Sequence, residues 1–297
     1  MCVRVSKNLL YRWHTCVRTT PAPVTALLRY PARMPSTALC LLGSVRTLAL
    51  ECTGATTLRR LATPLGAAVF AFVNVPQEWK ADRVEGVRLL VRALVRNAAL
   101  ELRALEVDNH SPNSARRGAH QARGLRRCWD VVGVSGAFEY IVRARTDVYH
   151  GFVLPERLPE GPSPSAAYVG FLGKPGCAPR RESAPWVDDR FSLLRGRLAQ
   201  RVFLRDFAAA LDAPRDGTTA PECVLGTSVA DADDRANASA AHEGLILRDV
   251  RATVAVRGAC RRANAQIVRS KNCSEEVGRA PWVCPPHDAH PPVVVIG

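Results

Sequence analysis

Two arginines and a carboxylate stand at alternate positions in the stretch Phe138–Asp147, FEYIVRARTD, where Arg143, Arg145 and Asp147 interrupt an apolar run. In an extended chain these three project from one face together with Glu139 and Ile141, while Phe138, Tyr140, Val142 and Ala144 take the other. A charged row on an apolar strand needs partners. One solution is an internal ion pair, Arg143 or Arg145 with Asp147 or Glu139. The other is a ligand, because ligands of open α/β sheets bind outside the carboxyl ends of the strands, where Asp147 would lie. A carboxylate there can hold a divalent cation, and arginines behind it can steady it or meet phosphate oxygens.

Val187–Phe191, VDDRF, is a second cluster. If it is extended, Asp188 and Asp189 point to opposite faces, so one of them at most shares a site with Asp147. Asp189 is assigned to that site and Asp188 to an N-cap or a surface ion pair; a solvated turn is the alternative for both. Pro221 and Glu222 open a helix, since proline suits its first turn and a carboxylate suits the positive end of its dipole. In Leu41–Thr47, LLGSVRT, an apolar strand runs into Gly43, where the backbone can turn, and the free N–H groups beyond it attract an anion. Neither a GxGxxG nor a GxxxxGK[ST] fingerprint is present, which argues against a dinucleotide oxidoreductase or a P-loop enzyme.

The elements that must position these groups alternate as strand and helix from Ser36 onward, which predicts a parallel sheet. Strands are expected at Thr37–Leu42, Ala67–Val73, Leu100–Val107, Phe138–Asp147 and Ala167–Leu172, and one or two more at Leu245–Val256. A helix of about ten residues fits between the first two. Arg83–Arg96 puts Val84, Val87, Val91, Leu94 and Val95 on one helical face. A basic helix, Ala119–Val131, leads into Phe138–Asp147, and Leu198–Leu211 is expected to be helical. Asp108–Gly118, Pro155–Pro164 and Lys174–Pro185 read as loops.

With 297 residues and 47% hydrophobic content the chain can bury a sizeable core and is expected to form one α/β domain. Of its 41 basic residues only 4 are Lys, and they are scattered without an aromatic-interleaved patch, so the net charge of +14 argues little for nucleic acid. Ten cysteines include no CxxC pair or zinc-type comb. Cys260, Cys273 and Cys284 crowd the C-terminal stretch, where disulfides or buried thiols are the alternatives. Residues 1–36 carry Arg4, Lys7, Arg12, Arg18, Arg29 and Arg33 but no Asp or Glu, the composition of an organellar leader or of an unstructured start. No stretch reaches the roughly 18 uninterrupted apolar residues of a membrane span.

The order LCLLGSVRTL, EYIVRARTD, WVDDRF before a helix and PE ahead of another helix resembles an uncharacterised group of GT-A-type glycosyltransferases of algae, protists and bacteria, with GxxRT, RxRxD and DRF motifs. The resemblance spans roughly residues 37–257, between the basic leader and a Cys/Pro-rich irregular tail, residues 258–297. It implies a single Rossmann-like GT-A-type domain with a mostly parallel central sheet that moves a sugar from a nucleotide-diphosphate donor to a hydroxyl of a glycan, lipid or protein acceptor. Gly43, Arg46, Arg143 and Arg145 would then meet the donor, and Asp147 would stand for the last carboxylate of a DxD that holds Mn²⁺ or Mg²⁺. Asp189 or Glu222 would take the acceptor proton in an inverting enzyme. The chain departs from the pattern in that Arg145 stands where DxD has its first Asp. A secretory or Golgi location follows from the resemblance, an organellar one from the leader. The rival expectation is a non-catalytic basic binding protein, a degenerate transferase or a polyanion binder.

Overall fold

Strand β4 (Tyr140–Arg145) lies at the centre of a seven-stranded sheet of order β3-β2-β1-β4-β6-β5-β7. The other strands are β1 (Thr37–Ser44), β2 (Ala68–Asn74), β3 (Leu102–Asp108), β5 (Ala166–Phe171), β6 (Val187–Arg195) and β7 (Ile246–Asp249). The structure is a computed structural model that describes residues 36–45, 48–49, 51–109, 119–148, 150, 152–159, 165–171, 187–213, 220–238 and 245–249. Arg46, the basic leader, and Cys260, Cys273 and Cys284 lie outside the described residues.

The sheet is parallel apart from β6, which runs antiparallel to both of its neighbours, β4 and β5. That reversal matters for chemistry, because the beginning of β6, with Asp188 and Asp189, reaches the same edge at which β1 and β4 end. Strands covered on both faces read as continuous apolar runs, as TALCLLGS and AVFAFVN do. On one face Leu39, Leu41, Val69 and Val142 pack with Leu58, Leu61 and the valines of α1 (Ala81–Asn97). On the other, Cys40, Phe70, Ile141 and Leu194 pack with α2 (Ala119–Cys128), with the continuous helical segment α3 (Gly196–Gln200), 201–206 and α4 (Phe207–Asp212), and with α5 (Pro221–Ala238).

The helix expected between β1 and β2 is a series of π- and 3-10-helical turns from Glu51 to Leu65, interrupted by a short α-helical step. The strand expected at Phe138–Asp147 is shorter at both ends. Phe138 precedes the ladder, so alternation does not reach it, and its ring packs edge-on against Phe70 at 5.6 Å on the face that holds Ile141. Asp147 follows the ladder in a turn. A disulfide joins Cys40 of β1 to Cys128 of α2, 88 residues apart. Among the described residues no helix is long and apolar enough to cross a membrane.

Candidate functional site

The chain winds outward from β1 through β2 to β3 and then returns across β1 to place β4 on its other side. The helical turns after β1 and helix α1 cover one face, whereas α2, which makes the return, covers the other. Such a reversal opens a crevice outside the carboxyl ends of the two strands at the switch, here β1 and β4. Thr146 clamps those ends together: its N–H donates to the Leu42 carbonyl at 2.9 Å and its hydroxyl to the Ser44 carbonyl at 2.7 Å. Gly43 permits this approach. Its φ is +131°, and a Cβ there would lie 2.8 Å from Thr146 Oγ1.

Arg145, the last residue of β4, stands between two carboxylates. It donates from Nε and NH2 to the two oxygens of Asp147, at 2.9 and 2.7 Å, and from NH1 to Asp189 Oδ2 at 3.1 Å. Burial alone would lower its pKa, but the bonds to Asp147 and the charges of Asp189 and Asp147 outweigh it and hold the guanidinium firmly charged. Asp189 is 1% exposed. Its Oδ2 also accepts from Gln121 Nε2 of α2 at 2.9 Å. Nothing in the sequence pointed to Gln121, because a glutamine on a helix carries no periodic signal.

Arg143 lies one step deeper on the same face. It is 1% exposed, with its guanidinium 5.7 Å from the Phe207 ring. Among the described residues none accepts a hydrogen bond from its three nitrogens, and Ser192 Oγ, on the residue paired with Arg143 across β4 and β6, is likewise without a partner. Burial pulls the Arg143 pKa down to about 10 against the opposing charges of Asp189 and Asp188. Arg143 is therefore a buried cation behind Asp189, while Arg145 is the arginine at the mouth.

Asp188 turns away from Asp189 onto its own neighbour: Arg190 donates to Asp188 Oδ1 from its backbone N at 2.9 Å and from Nε at 2.6 Å. Glu222, in the first turn of α5, is half-buried, and its pKa is raised by burial and then by the charge of Asp189, with Arg190 opposing. His150 is 2% exposed, lies beside Phe152 and Phe191, and is pushed down to about 3 mainly by burial, so it is neutral. The structure thus brings Asp147 and Asp189 onto Arg145, and the charge of Asp189 acts on Glu222. On the same edge, Phe72, Asn74, Asp108, Arg123 and Arg127 line a cleft of about 300 Å³ between β2, β3 and α2.

The expected cation can be tested against these contacts. Both oxygens of Asp147 already accept from Arg145, and among the described residues no three His, Cys, Asp or Glu side chains gather to hold a metal. As arranged, the residues do not fit a divalent cation at Asp147. No family model matches this chain, and no curated protein matches it significantly.

Proposed function

We propose that this protein transfers a sugar from a nucleotide-diphosphate donor to an acceptor hydroxyl in the crevice outside β1 and β4. The observation that supports it most is the convergence at that edge of a charged arginine, Arg145, and a half-buried carboxyl of raised pKa, Glu222, through their shared neighbour Asp189. The first offers positive charge to a diphosphate and the second is a stronger base than an ordinary carboxylate. The neighbouring cleft offers room for the nucleoside.

In this reading the acceptor oxygen attacks the anomeric carbon as the bond from that carbon to the diphosphate oxygen breaks. The electron pair leaves with the diphosphate, and Arg145 meets the charge that develops there. Glu222 takes the acceptor proton. Asp189, buried and already bonded to Arg145 and Gln121, orients the arginine and raises the proton affinity of Glu222. Direct displacement of this kind inverts the anomeric centre.

The test is to incubate the protein with UDP-, GDP-, ADP- and dTDP-sugars and measure release of nucleoside diphosphate. Turnover in the wild type that falls about a hundredfold, on the order of 3 kcal/mol of barrier, in Glu222→Gln is expected. No release with any donor, and no thermal shift either, would sink the proposal. One observation favours a second reading, a binding protein without chemistry: Arg145 is already paired with two carboxylates, Asp147 and Asp189. That reading forecasts a thermal shift with UDP or GDP but no turnover.

A further inference from the structure

We infer that Arg145, and not a divalent cation, is the group that meets the donor diphosphate, so that donor binding at this crevice is independent of metal. The inference deepens the sugar-transfer reading and rests on it.

A guanidinium presents five N–H groups in a planar fork. At Arg145, Nε and one hydrogen of NH2 serve Asp147, and one hydrogen of NH1 serves Asp189. Among the described residues, no acceptor takes the remaining hydrogen on each terminal nitrogen. The side chain is 23% exposed, and its partner Asp147 is 26% exposed, so this end of the fork is open to a ligand, unlike Arg143. Two donors on a charged, immobilised plane match two oxygens of a phosphate group.

A cation on Asp147 would share carboxylate oxygens that already accept from Arg145, and it would set two positive charges side by side. A phosphate group uses the remaining donors and breaks no bond. Asp147 then serves to hold the arginine flat, a positioning role, and Asp189 fixes its other end. Arg143 supports this from behind, since its charge acts on Asp189 from within the core.

Calorimetry on the full chain decides it, with UDP, GDP and inorganic pyrophosphate as probes, first in EDTA and then with Mn²⁺ or Mg²⁺. Dissociation constants that agree within about twofold between the buffers are expected, as is a weakening of about tenfold or more in Arg145→Lys, which keeps the charge but loses the fork. Binding seen only with Mn²⁺ or Mg²⁺ would overturn the inference while leaving sugar transfer standing. Binding in EDTA that a folded Arg145→Lys does not weaken would overturn the assignment to Arg145. No binding of any probe in either buffer would remove the sugar-transfer reading itself. If Arg145→Lys does not fold, the comparison of buffers on the wild type still decides whether metal is needed.

Discussion

Arg145 grips Asp147 through two parallel hydrogen bonds, of 2.9 and 2.7 Å, although the two residues are only two apart in the chain. The strand ends at Arg145, and the turn clamped by Thr146 carries Asp147 back toward the guanidinium. Asp147→Asn keeps one acceptor and loses the charge. We expect a loss of roughly 1–3 kcal/mol in urea unfolding, with donor binding weakened only as far as the arginine loosens. Unchanged stability together with an activity loss of about a hundredfold or more would show Asp147 acting on the ligand directly.

Glu222 gives a pH signature. Its folded pKa is raised above the ordinary glutamate value, so the base form fills only above that value. The acid limb of kcat/KM is expected above the ordinary glutamate value and should vanish in Glu222→Gln. Linkage has a matching sign. A raised carboxyl pKa contributes stability at low pH that is lost as pH rises through the folded value. The Gln variant should therefore gain on the wild type in melting temperature as pH rises through that region. A pH-independent difference would exclude Glu222 as the titrating group.

Gly43→Ala should be costly despite its small size. The new methyl meets Thr146 Oγ1 at 2.8 Å and the backbone sits at φ +131°, where side chains are strained. A loss of about 1–3 kcal/mol is expected in chemical denaturation. Donor affinity should fall with it, since Thr146 sits between Arg145 and Asp147. A stable variant with wild-type affinity would show that the clamp does not shape the site.

The Cys40–Cys128 disulfide closes a loop of 88 residues of separation, for which chain entropy predicts about 4 to 5 kcal/mol of stabilisation. Both side chains are fully buried. The Cys40→Ala/Cys128→Ala protein is expected to lose most of that amount in urea unfolding. Because α2 carries Gln121, donor binding should weaken as well. Mass mapping of unreduced protein that finds both thiols free would remove the basis of this expectation.

What the sequence determined by itself is local. Alternation in YIVRAR put Ile141, Arg143 and Arg145 on one face, and the apolar runs of β1 and β2 announced strands covered on both sides, because these patterns depend only on neighbouring residues. The valines of α1 were legible for the same reason. The two charged clusters and Glu222 were visible as residue types at suggestive spacings. Tertiary structure alone decided who meets whom. Asp189 reaches Arg145, 44 residues away, because β6 runs antiparallel to β4 and starts where β4 ends, and strand direction is set by pairing across the sheet and leaves no mark on a strand's own pattern. Gln121 and the Cys40–Cys128 bond were hidden likewise, since each depends on how α2 packs over the sheet. Phe138 shows where alternation stops: it lies outside the ladder, where no cross-strand hydrogen bonds hold the backbone to a period of two.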